Sequence, residues 1–153
     1  NYDSNLIFHI LMLSFQALKN KYMTVFGGQQ TRPNIHLKDM IGVYKHFIEN
    51  SYLEDGCYNA GFENISILEI ANRIKSKIPA EIIVTNSNDN RSYRQNSDKL
   101  IKTGFEPNYS IDSAIYDLTK KYSRGELVED TSFYTVKWMK HLNLHKNDCK
   151  RVN

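Results

Sequence analysis

The sequence predicts a small mixed α/β fold, and three observations lead there. Stretches with apolar residues at helical spacing alternate with short β-rich runs of four or five residues. The strand-like runs are too few and too scattered to build a complete doubly wound sheet. The chain has 153 residues and 41% hydrophobic content, which fits one domain of ordinary size with a core of its own.

The elements follow in order. Residues 6–19 read as a helix, apolar on several faces through Ile7, Phe8, Leu11, Met12 and Phe15. Residues 22–26 read as a strand closed by Gly27 and Gly28. After a polar loop, Arg32 leads into a second short strand. Residues 37–49 form a second helix, with Leu37, Met40, Ile41, Tyr44 and Ile48 sharing one face. Asp39 in its first turn suits the helix dipole. Residues 57–60 read as a short strand holding Cys57 as a buried reduced thiol. Ser66 starts a third helix, and Glu69 three residues on completes a capping box. Ile67, Ile70, Ala71, Ile74 and Ile78 make the buried stripe of that helix. Residues 81–85 are a strand. Residues 97–103 are a short helix stopped by Gly104. Ser110 caps a helix that buries Ile111, Ala114, Ile115 and Leu118. A last helix over 135–142 carries Trp138 and Met139, and residues 143–153 are a polar tail.

Composition narrows the function classes. The formal net charge of +3 suits an anionic ligand without arguing for nucleic acid. Two cysteines give no disulfide framework, so a reducing cytoplasm is expected. The apolar run at 6–18 is interrupted by His9, Ser14 and Gln16 and is too short to span a bilayer, and no signal-peptide pattern precedes it. No partnership with a membrane is expected.

Few residues carry chemistry. Arg32 is the first: a guanidinium forks its donors onto phosphate oxygens, and Pro33 and Ile35 would hold it in place. The alternative is a solvated surface arginine. The polar run at 86–94, NSNDNRSYR, follows a strand end, where ligand loops sit; Arg91 and Arg94 within it are either ligand contacts or surface charges beside Asp89. Asn5 fits a helix N-cap. Tyr116 and Lys120 have the Tyr-x-x-x-Lys spacing of a base whose pKa a lysine lowers, but they fall on an amphipathic surface helix. Gly27-Gly28 lacks the third glycine of a dinucleotide fingerprint. His141, His145 and Cys149 are four apart and could share a helix face, but a zinc site in that tail is not expected.

The run at 25–40, VFGGQQTRPNIHLKDM, resembles the start of the substrate half of extended short-chain dehydrogenase/reductases, the NAD-dependent nucleotide-sugar epimerases and dehydratases. The run at 88–115, NDNRSYRQNSDKLIKTGFEPNYSIDSAI, resembles that family's second nucleotide clamp and the following helix. The order and separation of the two runs match as well. The resemblance covers roughly residues 1–122. It is nearest to UDP-glucose 4-epimerase-like members and implies the C-terminal substrate-binding part of such an enzyme over 1–142.

What the resemblance implies is specific. The fold is a piece of an NAD(P)-binding Rossmann-type enzyme, mostly its small α/β substrate domain. Arg32 reaches the diphosphate, Asp89 accepts from the ribose hydroxyls, and the amide of Asn5 contacts the substrate phosphate. Thr24 and Phe26 match positions whose backbone groups pair with the nucleobase. Asn86 stands where the family has an arginine, so Arg91 or Arg94 would substitute for it. Residues near 58–61 would complete the sheet of a dinucleotide-binding half that this chain lacks. NAD belongs to the complete enzyme, and none is expected on this segment alone. The family's catalytic Ser/Thr, Tyr and Lys lie upstream of everything here, so the isolated chain is expected to be inactive. The complete enzyme is expected to be a homodimer. Two other readings stand beside this one: a free-standing, non-catalytic nucleotide-sugar module, and a small basic nucleic-acid-binding protein using its ten tyrosines. Dispersed basic residues count against the last.

Overall fold

A computed structural model describes residues 8–87 and 91–128. The chain order is α1 (Phe8–Asn20), β1 (Tyr22–Phe26), β2 (Thr31–Asn34), α2 (Leu37–Glu49), β3 (Glu63–Ser66), α3 (Ile67–Lys77), β4 (Glu81–Thr85), α4 (Asp98–Ile101) and α5 (Ile111–Ser123). β1 and β4 pair in parallel, Tyr22 opposite Glu81 through Phe26 opposite Thr85. β2 and β3 pair antiparallel as a separate ribbon. Pro33 is tolerated in β2 because a two-stranded ribbon has only edge strands.

The core lies between the β1–β4 pair and helices α1, α3 and α5. β1 alternates: Met23 and Val25 are buried while Tyr22 and Phe26 are exposed. α3 buries Ile67, Ile70, Ala71 and Ile74, and Ile78 follows them into the core. This is the stripe its periodicity predicts. α5 adds Ile111 and Ile115, with Ala114 and Leu118 packed beside them. Two carboxylates tie the layers together. Asp39, buried in the first turn of α2, accepts from the backbone N–H groups of Asn108 and Tyr109. Glu63 accepts from the N–H of Ile111 and from Arg73.

Four expectations need correction. Residues 57–60 are not a strand; the ladder forms at β3 instead. Gly61 beside the segment is held through N–H and C=O by the Ser97 hydroxyl. No strand among the described residues lies beside 57–60. Cys57 is therefore exposed rather than buried. The Ser66 side chain does accept from the N–H of Glu69, but the Glu69 carboxylate turns to Arg73. The reciprocal capping box is found at α5, between Ser110 and Ser113. The apolar face of α2 points away from the core: Leu37 is 71%, Ile41 59%, Tyr44 67% and Ile48 79% exposed. The helix is anchored instead by Asp39 and by His46, which meets Thr103 and the Phe105 ring.

Gly104 sits at φ +90° after α4, the expected left-handed stop. No described helix is long and apolar enough to cross a membrane. The expected helix at 135–142 and the tail at 143–153 lie outside the described residues.

Candidate functional site

Ligands of parallel α/β units gather at the C-terminal ends of the strands. Here that end is built by the turn after β1. Gly27 and Gly28 take φ +74° and +99°, a region that favours glycine. The N–H of Gly27 donates to Thr85 O at 2.8 Å, which ties the turn to the end of β4. A Cβ on Gly27 would stand 3.1 Å from Gln30 Oε1, so the bare glycine lets the Gln30 side chain lie across it. A shallow depression beside Lys21, Tyr22 and Glu81 lies at the other, N-terminal end of the strands.

The hydrogen-bonding parity of β1 decides which of its backbone groups a ligand could meet. Lys21 O accepts from Glu81 N, and Gly27 N donates to Thr85 O. Alternate residues of a parallel strand face the same neighbour, so Met23 and Val25 also face β4. Tyr22, Thr24 and Phe26 therefore turn their backbone groups to the open edge. Two carboxamides occupy part of that edge. Gln16 of α1 accepts from Thr24 N at 2.9 Å. Gln30 donates to Phe26 O at 2.7 Å and accepts from Gly28 N at 2.6 Å. Between them, Thr24 O and Phe26 N have no hydrogen-bond partner among the described residues.

Two residues beyond Gln30, Arg32 is buried at 7% exposure in β2. Its Nη1 donates to Thr31 O at 3.0 Å and to Arg91 O, which orients the guanidinium plane. The segment from Arg91 is stitched along β2: Ser92 Oγ accepts from Thr31 N, and Tyr93 N donates to Thr31 O. Tyr93 thereby brings two cations together. Arg32 Cζ lies 4.9 Å and Arg91 Cζ 5.9 Å from its ring centroid. Two guanidiniums sharing one ring repel each other and favour an anion between or beside them. The field reaches His9 on α1: burial, and then the charge of Arg32, push its imidazole pKa below the ordinary value. His9 Nδ1 is buried without a hydrogen-bond partner among the described residues.

Of the residues named from sequence, Thr24 and Phe26 fall on the open edge of β1, and Arg32 and Arg91 fall together around Tyr93. Asn5 and Asp89 lie outside the described residues, as do His141, His145 and Cys149. Arg94 is exposed. Among the described residues no group of three metal-ligand side chains gathers. The Tyr116 ring is 57% exposed, with Lys120 Nζ stacked 4.5 Å from its centroid. Gln16, Gln30, Tyr93 and His9 were missed. Gln30 and Tyr93 stand inside the two singled-out runs, but their roles depend on pairings across loops that spacing does not reveal.

Solved structures share this fold. The dTDP-glucose 4,6-dehydratase of Bacillus anthracis, in complex with NAD, aligns with TM-score 0.64 at 20% identity over 76% of this chain and 39% of its own. The UDP-glucuronic acid 4-epimerase of Bacillus cereus, in complex with UDP-glucuronic acid and NAD, aligns with TM-score 0.59 at 23% identity over 74% and 40%. A monomeric L-threonine 3-dehydrogenase from a metagenome database aligns with TM-score 0.66 at 16% identity over 78% and 42%. The chain thus shares the fold of part of these enzymes and spans about two fifths of their length. Substrates differ within this set, so the shared fold does not by itself choose one. No protein-family model matches the chain.

Proposed function

We propose that this chain is the substrate-binding part of an NAD-dependent nucleotide-sugar epimerase or dehydratase. In this reading Arg32 and Arg91 engage the diphosphate. Thr24 O and Phe26 N meet the base, Asp89 takes the ribose hydroxyls, and Asn5 takes a phosphate oxygen. The observation that supports the reading is the gathering of two guanidiniums around Tyr93 beside β2, in a chain that also leaves one edge of β1 open. A nucleoside diphosphate needs both: a flat donor/acceptor edge for the base and forked cationic donors for the phosphates.

Hydride chemistry and NAD binding belong to a dinucleotide-binding half, which is the partner of this segment. The outward apolar face of α2 supports that assignment, together with residues 57–60, which belong to no strand. Phe47 of α2 packs on Tyr58 at 4.7 Å between ring centroids, so helix and segment form one unit. In this reading the unit packs against the sheet of that other half. In this reading the working site is shared between two halves.

Calorimetric titration of the chain with nucleoside diphosphates and with the parent nucleosides tests the reading. Binding of a diphosphate, with the nucleoside much weaker, is the expected result. Equal binding of nucleoside and diphosphate would remove the phosphate role of the arginine pair.

A further inference from the structure

We infer that Gln16 and Gln30 are positioning residues that turn the open edge of β1 into a single-register reader of a nucleobase. This rests on the proposed nucleotide site and adds how that site selects its base. An exposed strand edge offers a row of alternating N–H and C=O groups. A planar base with one donor beside one acceptor could pair with such a row at several positions, and selection would be poor.

The two carboxamides remove that ambiguity. Gln16 Oε1 takes Thr24 N from the α1 side, and Gln30 Nε2 takes from the loop side the lone pair of Phe26 O that the Gly28 N–H leaves, the latter donating to the same oxygen at 3.0 Å. Among the described residues one acceptor, Thr24 O, and one donor, Phe26 N, remain between them, with the Tyr22 groups beyond Gln16. Gln30 also accepts from Gly28 N, so it bridges both ends of the Phe26–Gly27–Gly28 turn. The bare Cα of Gly27 makes room for this bridge. A carboxamide is itself a planar group with one donor and one acceptor, the same chemistry as a base edge. Its seat at the end of β1 shows that the strand end accepts groups of that kind.

The test is calorimetry on the full 153-residue chain with UDP, CDP, ADP, GDP and inorganic pyrophosphate. It is repeated on Gln16→Met and Gln30→Met, which keep volume and delete both hydrogen-bonding atoms. Gln30→Glu serves as a second variant at the loop; it keeps an acceptor for Gly28 N and sets an oxygen against Phe26 O. Freed backbone groups give the wrong bases new pairings. The affinity ratio between the best and worst of the four nucleotides should then fall about fivefold, the worth of one net hydrogen bond. Pyrophosphate affinity should stay unchanged. An unchanged ratio in all three variants would overturn the inference. So would a parallel loss of nucleotide and pyrophosphate binding, which would make both glutamines general structural supports. A parent chain that binds pyrophosphate and all four nucleotides alike would overturn it while leaving the phosphate site standing. A parent chain that binds none of the five would instead overturn the proposed function itself.

Discussion

The outward face of α2 offers a prediction with a magnitude. Leu37, Ile41, Tyr44 and Ile48 are on average about seven-tenths exposed. Fully burying a large apolar side chain contributes about 1.5–3 kcal/mol, so covering these four would contribute roughly 4–8 kcal/mol. Association of two free molecules costs at least about 4 kcal/mol in lost translation and rotation. The face is therefore strong enough to seat a tethered domain and marginal for pairing two free copies. The isolated chain should self-associate only weakly, in about the millimolar range. The double variant Ile41→Glu/Ile48→Glu should be monomeric there by sedimentation velocity, with stability changed by only about 0.5 kcal/mol, as for surface positions. A loss above about 2 kcal/mol, the size expected for core isoleucines, would mean that the face is buried within this chain. A parent chain that is already monomeric with a sharp melt would favour the free-standing module.

Three further outcomes follow from the same structure. Ile74→Ala, at a fully buried position of α3, should cost about 2–5 kcal/mol in denaturant unfolding; a cost below about 1 kcal/mol would displace α3 from the core. The folded state holds the His9 pKa below its ordinary value, so the unfolded chain binds a proton that the folded chain refuses. This contribution is fully present above about pH 6.5 and is lost as pH falls through the lower folded pKa. His9→Leu should flatten that part of the stability profile, and an unaltered slope would contradict the assignment. The chain should show no epimerase or dehydratase turnover with or without added NAD; turnover that disappears in Tyr116→Phe would make the exposed Tyr116–Lys120 pair catalytic after all.

Local rules were legible in the sequence. The bounds of β1, α2, α3 and β4, the start at Ser66 and the stop at Gly104 follow from periodicity, caps and glycine. The isoleucine stripe of α3 was legible because a single 3.6-residue pattern specifies it. What was hidden depended on partners distant in sequence. The α2 stripe has the same periodicity whether it faces the core or a neighbouring domain, so sequence alone could not say which. Residues 57–60 have strand composition, but strands need a neighbour, and the ribbon partner of β2 is 63–66. Arg32 was legible as a phosphate candidate from its residue type and setting. Its alignment by Arg91 O and Tyr93, and the glutamines on the edge of β1, arise from loop pairings that no local pattern encodes.

The central claim is that Arg32 is a diphosphate anchor, and its replacement tests this most directly. Calorimetry on the parent chain, Arg32→Ala and Arg32→Lys with the best-binding nucleoside diphosphate is the measurement. Arg32→Ala should lose about 1.5–3 kcal/mol of binding, the range for hydrogen bonds to charged groups. Arg32→Lys should recover only part of it, because an ammonium does not fork. Unchanged affinity in a folded Arg32→Ala chain would contradict the account.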